Sequence, residues 1–353
     1  MRQRDKTLVI LTPGFPENKD DTTCLPFLQT HVRALNITYP GVEIIILTFQ
    51  YPFIAGVYRW ENNEVISFGG KERGRLHRVF VWGRVWSKLR QLQRTKNVVA
   101  LFSLWCTECA LVGHYFGKQK GIKHYTWLCG QDAKKSNKYV KYIRPGSGEL
   151  IAMSDFLKRE FHKNHGVEPG QVIPIGVDTN QFTTNCSERT IDVLGAGSLI
   201  PLKQYDIFTK VVGSLVQELP ELQAVLCGDG PERNSIINQV AWLKIQGNMS
   251  LKGEVPHTDV LQYMQRTKIF LHTSNYEGFG TVCLEALYAG AHVVSFTKPM
   301  DATIPHWHHV SNMDDMVIKM KELLTDELTS FYPVIPYIAD DVAIAMMELF
   351  EDR

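Results

Sequence analysis

The 353-residue sequence lacks the features that mark membrane-spanning and secreted proteins. No apolar run reaches the roughly 18 residues that a spanning helix requires. The first apolar run, Leu8 to Leu11, follows a basic start but is too short for a signal peptide. The seven cysteines are an odd number and all but two are far apart, which argues against a disulfide framework. We therefore expect a cytoplasmic protein with reduced cysteines.

Metal-binding patterns are also scarce. Cys106 and Cys109 form one CxxC pair, but no second pair and no spaced histidines complete a zinc site. No DxD-type motif is evident, because the adjacent aspartates at 20–21, 314–315 and 340–341 lie in polar or helical contexts. We expect no metal and no other cofactor.

A net charge of +1 conceals one basic segment. Residues 71–96 contain nine Lys or Arg and a single acid, Glu72, so the segment carries +8. Helical spacing over 78–96 places the tryptophans on an apolar face and most basic residues opposite. That face packs on a sheet, or the helix lies on an anionic membrane surface. The membrane-surface candidates are Arg78, Trp82, Arg84, Trp86, Lys88, Arg90 and Arg94. Nucleic acid is disfavoured, since no binding motif accompanies the low net charge.

Short β-branched runs alternate with helical patterns along the chain, which indicates parallel α/β units. The predicted strands are 7–12, 42–49, 98–104, 124–130 and 149–154, then 190–199, 222–230, 249–255, 268–274 and 292–296. The polar segment 172–190 is the best linker candidate. Two consecutive doubly wound sheets follow, and helical patterns return over 313–327 and 340–353.

The stretch "TSNYEGFGTVCLEALYAGAHVVSF" (273–296) holds two carboxylates around a glycine-rich turn. Glu277 precedes the turn, Thr281 is expected to cap a helix, and Glu285 lies about one turn into it. A helix N-terminus is an anion site, and glycines let a phosphate approach the backbone. A nucleotide sugar has the matching layout, with a diphosphate between two hydroxylated groups. Alone, the stretch is equally compatible with an ordinary turn whose glutamate complements the helix dipole.

Three other turns follow strands of the same predicted sheet. "GAGSLIPLK" (195–203) places Lys203 within reach of a phosphate, and "CGDGPE" (227–232) and "KGEVP" (252–256) are the next two turns. The first is not a dinucleotide fingerprint, because its third glycine is replaced by Ile200. An NAD-dependent oxidoreductase is disfavoured for that reason.

These turns, with the Glu277 and Glu285 pair, stand in an order and spacing that resembles the retaining glycosyltransferases of family 4. "VIPIGVDTNQF" (172–182) is similar to that family's "PNGVD" signature. The resemblance implies an α/β protein of GT-B fold, with two doubly wound Rossmann-like domains facing across a cleft. It implies an acceptor domain over 1–175, a nucleotide-sugar donor domain over 176–335, and a C-terminal helix over 336–353 that crosses back to the first domain.

The resemblance also implies roles for individual residues. Lys203 and Glu277 would be catalytic, with Lys203 on the diphosphate, Glu277 on the transferred sugar and Glu285 on the ribose. The implied donor-binding residues are Gly14, Ser198, Lys203, Gly228, Asp229, Glu254, Val255, Glu277, Gly278, Phe279, Gly280, Thr281 and Glu285. The implied acceptor or cleft residues are Phe15, Cys129, Gly130 and Asp132. The chain departs from the family twice, with Cys129 in the place of the usual histidine and Ser198 where many members carry arginine.

The implied function is transfer of a hexose-type sugar from a nucleotide-diphosphate sugar to a glycan or lipid-linked acceptor, as in cell-surface polysaccharide or glycolipid biosynthesis. The anomeric configuration would be retained, by front-face attack without a protein base. The enzyme would be cytoplasmic, with peripheral attachment to the inner face of the cell membrane. Two alternatives remain: a GT-B epimerase that uses Glu108 and Asp132, and an inactive sugar-nucleotide-binding subunit.

Overall fold

The computed structural model describes residues 6–182 and 188–351. The chain divides into two compact units, unit 1 formed by Met1–Gly176 with Ala339–Arg353 and unit 2 formed by Val177–Ile338. The division between Gly176 and Val177 falls inside the predicted linker, one residue after the predicted boundary. Residues 183–187 of that linker, with Cys186, lie outside the described residues.

Unit 1 is built on a sheet that has eight strands in the described part of the chain. Their order is β3-β4-β2-β1-β5-β6-β7-β8, and only β3 runs antiparallel to its neighbour. The strands are β1 (Lys6–Gly14), β2 (Val42–Tyr51), β3 (Gly56–Trp60), β4 (Asn63–Ser67), β5 (Asn97–Leu104), β6 (Lys123–Leu128), β7 (Leu150–Ala152) and β8 (Gln171–Val172). The helices are α1 (Pro26–Thr38), α2 (Arg75–Thr95), α3 (Glu108–Lys120), α4 (Tyr139–Ile143) and α5 (Asp155–His165).

Unit 2 has a wholly parallel sheet, six-stranded over the described residues, in the order β11-β10-β9-β12-β13-β14. The strands are β9 (Ile191–Ala196), β10 (Ala224–Cys227), β11 (Met249–Gly253), β12 (Thr267–His272), β13 (His292–Ser295) and β14 (Trp307–His309). The helices are α6 (Tyr205–Glu218), α7 (Arg233–Leu243), α8 (His257–Gln265), α9 (Thr281–Tyr288) and α10 (Met313–Thr325).

The last helix, α11 (Ala339–Glu351), belongs to unit 1. It packs on α1, and its Phe350 ring lies 5.0 Å from the ring of Tyr125. Lys123 and Tyr125 both donate hydrogen bonds to the backbone oxygen of Leu349, at 3.2 and 3.0 Å. The prediction that the C-terminal helix returns to the first domain is therefore confirmed, as is the prediction of two parallel α/β sheets.

The cores explain why these segments form parallel strands. In β1 and β2 almost every residue is buried, because helices cover both faces of a parallel sheet. Unit 2 repeats the pattern, with Phe208 of α6 and Met316 of α10 packed in a core that also holds strand residues such as Val193 and Ile269. Within the described residues, no helix combines the length and apolar content needed to cross a bilayer.

Most of the basic segment lies in helix α2, and the packing of this helix determines where its tryptophans lie. The Trp82 indole donates a 2.7 Å hydrogen bond to Glu108, and the Trp86 ring lies edge-on to Phe116 at 5.1 Å. Both tryptophans are half-buried beside the fully buried Val85, because the apolar stripe faces the sheet. The structure thus favours packing for both and removes them from the candidate membrane surface. Arg84, Arg90 and Arg94 are exposed, whereas Arg78 and Lys88 are half-buried.

Candidate functional site

The candidate site of unit 2 lies at the carboxyl ends of β9 and β12. These neighbouring strands stand where the strand order reverses, since β10 and β11 continue on one side and β13 and β14 on the other. Open α/β sheets bind ligands at such a switch point. Lys203 follows β9 and Glu277 follows β12, so the topology brings together two residues that are 74 positions apart in the chain.

Lys203 and Glu277 form an ion pair. The Lys203 ammonium donates to Oε1 of Glu277, and the side chains are only 22% and 16% exposed. Lys203 ends a short 3-10 turn, Pro201–Lys203, whose position is held by a 2.7 Å hydrogen bond from the Thr273 hydroxyl to the Lys203 carbonyl. This hydrogen bond links the loop after β9 to the loop after β12, next to the ion pair.

His272 is the second group beside Glu277. It is the buried last residue of β12, and its Nε2 lies 3.5 Å from Oε1 of Glu277. Burial alone raises the pKa of Glu277, but the contact with His272 and the charge of Lys203 outweigh it and lower this pKa from 4.5 to about 2. Glu277 is thus ionised at neutral pH. A carboxylate of such low pKa is a poor general acid or base, but it can orient hydroxyl groups and stabilise positive charge.

Helix α9 points its N-terminus into the same loop region. Gly280 precedes the helix in the left-handed conformation (φ 88°), and no side chain caps the first turn. Thr281 is the first helical residue, so its predicted role as the cap is wrong: the left-handed turn makes Gly280 the capping position. The amide groups of an uncapped first turn and the helix dipole favour an anion there.

The glycine turn before α9 is anchored by Phe279. This buried ring lies edge-on to Trp307 at 6.1 Å and to Tyr337 at 5.8 Å. Gly278 and Gly280 beside it are buried as well. The aromatic anchor holds the backbone that is predicted to contact the transferred sugar.

Glu285 lies one turn into α9 and pairs with a histidine. His257, the first residue of α8, places its Nε2 2.9 Å from Oε1 of Glu285. The Glu285 side chain is 12% exposed and the His257 side chain is 16% exposed. Cys283 is buried, and burial is the main cause that raises the pKa of its thiol. The charges of Glu277 and Glu285 raise this pKa further, and the charge of Lys203 lowers it. The two glutamates therefore belong to one electrostatic environment.

The glycine turns after β9, β10 and β11 are joined by backbone hydrogen bonds. Gly197 N–H donates to Cys227 O at 3.0 Å, and Gly228 N–H donates to Gly253 O at 2.7 Å. A Cβ at Gly228 would lie 1.9 Å from the Gly197 oxygen, and Gly228 has a φ of 136°. Only glycine fits this approach, so the three turns present a continuous backbone surface.

The polar residues on these turns are more accessible. Ser198, Asp229 and Glu254 are exposed, and Val255 is half-buried. Arg233, which opens α7, donates to Asp229 at 2.9 Å, and its Nη1 lies 3.0 Å from where a Cβ of Gly253 would stand. A guanidinium therefore lies beside these turns although Ser198 occupies the place of the family's arginine.

Phe15 and Asp132, two of the predicted cleft residues of unit 1, are buried. Gly14 is buried at the end of β1, and Phe15 is fully buried with its ring 5.0 Å from Trp60, so Phe15 is a core residue. Asp132 is also buried and accepts backbone hydrogen bonds from Cys106, Gly130 and Cys129 at 2.9, 2.8 and 3.2 Å. Its carboxylate organises this loop, and burial raises its pKa from 3.8 to about 6.

The two carboxylates that an epimerase would need in unit 1 both accept hydrogen bonds from neighbouring protein groups. Asp132 accepts from the loop backbone, and the buried Glu108 accepts from the Gln50 amide and the Trp82 indole. Cys129 is half-buried and its thiol donates to the Trp127 carbonyl at 3.3 Å. Among the described residues, no group of three His, Cys, Asp or Glu side chains is arranged to hold a metal ion.

Sequence reasoning missed His257, His272, Thr273 and Arg233. One signal could have identified most of them. His272 and Thr273 stand at the end of β12, while His257 and Arg233 open the helices that follow β11 and β10. Since ligands bind at the carboxyl ends of parallel strands, polar residues at those positions are candidates even outside a recognised motif.

Comparison with known proteins shows which family unit 2 resembles. Residues 177–330 match the family model "Glycosyl transferases group 1". A curated relative, the 2-deoxystreptamine N-acetyl-D-glucosaminyltransferase of Niallia circulans, is 29% identical over 81% of this chain and 74% of its own length. The phosphatidylinositol N-acetylglucosaminyltransferase gpi3 subunit of Schizosaccharomyces pombe is 27% identical over 55% of this chain. The match spans only 44% of that subunit.

Solved structures match nearly the whole chain. Sucrose-phosphate synthase from Thermosynechococcus elongatus has a TM-score of 0.72 at 14% identity, over 99% of this chain and 98% of its own. The Anabaena protein HepE, solved with UDP and glucose, has a TM-score of 0.67 at 16% identity, over 98% and 95%. Identities this low establish the fold alone. The chain therefore has the GT-B fold of glycosyltransferases, and its residues 177–330 match the glycosyl transferases group 1 family.

Proposed function

We propose that this chain is a retaining glycosyltransferase of family 4 that moves a hexose-type sugar from a nucleotide-diphosphate sugar to a glycan or lipid-linked acceptor. The observation that carries the proposal is the Lys203–Glu277 ion pair at the switch point, beside the uncapped N-terminus of α9. A cation, a helix dipole and an ionised carboxylate together match a diphosphate that is bonded to a sugar.

The leaving diphosphate would bind at the N-terminus of α9. Lys203 would then be shared between Glu277 and the phosphate oxygens, which lets it offset the charge that develops on the leaving group. Arg233 would add a second cation from the turn after β10. These groups supply the stabilisation that a metal provides in other enzymes, so we expect transfer without one.

Glu285 would bind the ribose. His257 contacts one oxygen of this carboxylate, which would fix its orientation and leave the second oxygen for the vicinal hydroxyls. Glu254 and Val255 follow β11 and would lie along the base, largely through their backbone. This arrangement gives the two glutamates different tasks on either side of the diphosphate.

N-acetylglucosamine is the first sugar to test. Both curated relatives described above are named as N-acetylglucosaminyltransferases, and HepE was solved with UDP. The donor that we propose is UDP-N-acetylglucosamine, and the gpi3 relative supports a lipid acceptor in a glycolipid or cell-surface pathway. We propose a cytoplasmic enzyme that binds the inner face of the membrane peripherally.

Retention would follow from front-face attack, in which a donor phosphate oxygen takes the proton of the acceptor. The low pKa of Glu277 supports this assignment, because the carboxylate is unsuited to act as the base. Glu277 would orient the sugar and stabilise its oxocarbenium-like charge. Proton NMR of the product tests retention, since an inverted anomer would contradict it.

An inactive sugar-nucleotide-binding subunit is the second candidate function. Cys129 favours it, because its thiol donates to a backbone carbonyl and offers no imidazole to the sugar. Incubation with a panel of UDP- and GDP-sugars separates the two candidates. A transferase releases nucleoside diphosphate with at least one donor, whereas an inactive subunit shows a higher Tm with the donor and no release.

A further inference from the structure

An exposed apolar surface lies at the carboxyl edge of the unit 1 sheet. Five large side chains form this surface, which we call the apolar patch: Phe53, Ile54, Leu76, Val79 and Phe80. Leu76 is 90% exposed, Ile54 75% and Phe80 61%. Exposed apolar side chains that cluster in this way mark interaction surfaces in soluble proteins, whereas isolated ones do not.

The 68–69 segment lies close to both parts of the patch. Phe53 and Ile54 follow β2, while the other three residues lie in the first turns of α2. A Cβ at Gly69 would approach the backbone of Phe53 and Ile54 to 3.1 Å. Arg84 of α2 donates to the carbonyl of Phe68, the preceding residue, and lies 5.9 Å from the Phe80 ring. The 68–69 segment therefore joins the loop to the helix.

Charge identifies the kind of partner. The segment 71–96 carries three of the five patch residues and has nine basic residues and one acid. Lys71, Arg73, Arg84 and Arg90 are exposed. Arg84 and Arg90 lie on exposed parts of α2, away from the buried Val85 and Leu89. Lys71 and Arg73 stand just before the helix begins, next to the patch residues of its first turns. Apolar side chains surrounded by cations are typical of surfaces that insert into an anionic bilayer.

The patch also borders the loop that contains Gly14. The Phe53 ring lies 5.2 Å from the Tyr51 ring, and Gly14 pairs with Tyr51 in the sheet. Phe15 N–H donates to the Tyr51 carbonyl at 3.3 Å. A lipid surface on the patch would thus lie next to the end of β1, where the resemblance places the diphosphate loop.

We infer that the apolar patch and its basic border dock unit 1 on an anionic lipid bilayer, with Phe53, Ile54, Leu76, Val79 and Phe80 inserted among the lipids. The inferred surface is distinct from the tryptophan face of α2, which packs inward. The consequence for the acceptor rests on the proposed function: an enzyme docked in this way takes an acceptor anchored in the same bilayer.

Vesicle flotation tests the inference. The probes are phosphatidylcholine vesicles with and without phosphatidylglycerol, at low and at high salt. We expect wild-type protein to float only with the anionic vesicles. The double variant Ile54→Ser/Phe80→Ser should bind at least about tenfold more weakly, because two apolar side chains that insert among the lipids are replaced by polar ones. Arg73→Glu and Arg90→Glu should each weaken binding by about fivefold or more at low salt, and less at high salt.

Matched controls lie in unit 2. Trp242 is 80% exposed and Lys210 is exposed, so Trp242→Ser and Lys210→Glu change equivalent side chains away from the patch and should float as wild type does. The inference is overturned if patch variants float normally or if the controls lose binding equally. It is also overturned if the patch variants change only the oligomeric state in sedimentation, which would make a second copy of the chain the occupant.

Nucleoside diphosphate release in lipid-free solution separates the two proposals. With no acceptor present, water takes the sugar as nucleoside diphosphate is released, and the patch variants should catalyse this hydrolysis at the wild-type rate, because no patch residue is among the predicted donor-binding residues. Normal flotation without any release by the wild type would contradict the proposed transferase and leave lipid docking standing. Release without flotation would contradict docking alone.

Discussion

Lys203 and Glu277 satisfy each other's charge across the two loops that follow β9 and β12. The pair joins two loops of the candidate site, so under the proposed function it has a structural task and a chemical one. A diphosphate that enters the site offers Lys203 a second anionic partner. Substitutions at either residue should therefore affect both stability and turnover.

Replacing Lys203 tests the first of these effects. We expect Lys203→Ala to lower the rate of nucleoside diphosphate release by about 10²–10³, the usual loss when one preorganised stabiliser is removed. It should also lower the free energy of unfolding by about 1–3 kcal/mol, because Glu277 loses its partner in a largely buried place.

Lys210→Ala is the control for Lys203→Ala. Lys210 forms an exposed i,i+4 pair with Asp206 on α6, so its loss should change neither turnover nor stability by a measurable amount. Wild-type turnover in folded Lys203→Ala protein would refute the role of Lys203.

The low pKa of Glu277 predicts an acid-dependent stability. Its pKa in the folded protein, about 2, is below the unfolded value of 4.5, so its contribution is complete above pH 4.5 and is lost as the pH falls towards 2. The shift corresponds to at most about 3 kcal/mol. Urea unfolding between pH 2 and 5 should show a steeper loss for wild type than for Glu277→Gln, and parallel curves would contradict the assignment.

His257 should act on donor binding through Glu285. Replacing it by Gln frees the carboxylate from the contact that orients it, so the ribose is held less well. We expect KM for the donor to rise about tenfold with little change in kcat, since a ribose contact is equal in ground state and transition state. A fall in kcat at unchanged KM would instead place His257 in the chemistry.

Gly228 should tolerate no side chain. A Cβ there would clash with the Gly197 oxygen, and the φ of 136° is unfavourable for alanine, so Gly228→Ala should lose about 2–4 kcal/mol of stability or fail to fold. Gly247→Ala is the matched control in the same unit, since no atom lies within 4 Å of a Cβ at that position. Equal denaturation midpoints for the two variants would refute the close approach of the turns.

The sequence predicted most strands of the two sheets, because parallel strands that are buried on both faces appear in the sequence as continuous apolar runs. It did not predict β3, β4, β8 and β14. The first two form an antiparallel hairpin at the edge, where Val57, Arg59 and other exposed residues interrupt the apolar pattern. Strand β8 has only two residues, Gln171–Val172, at the start of the predicted linker. Strand β14 is half-exposed and has three residues, Trp307–His309, with two histidines.

The sequence predicted those parts of the candidate site that depend on local order along the chain. Lys203, Glu277 and Glu285 belong to turns and helix starts that can be read from glycine spacing. His257 and His272 were missed because their roles arise from pairing between separate elements. The same limit applies to Phe15 and Asp132, since burial against Trp60 and against loop amides depends on tertiary packing.

Helix α11 belongs to unit 1 although the whole of unit 2 precedes it in the chain. During synthesis, residues 339–351 leave the ribosome after both sheets have been translated. Until then, α1 lacks its packing partner, and Phe102 and Tyr125 lack the Phe350 ring. Unit 1 therefore begins to form first but is completed last, and a ribosome that stalls within unit 2 releases a product with an uncovered apolar face that is a substrate for chaperones and proteases.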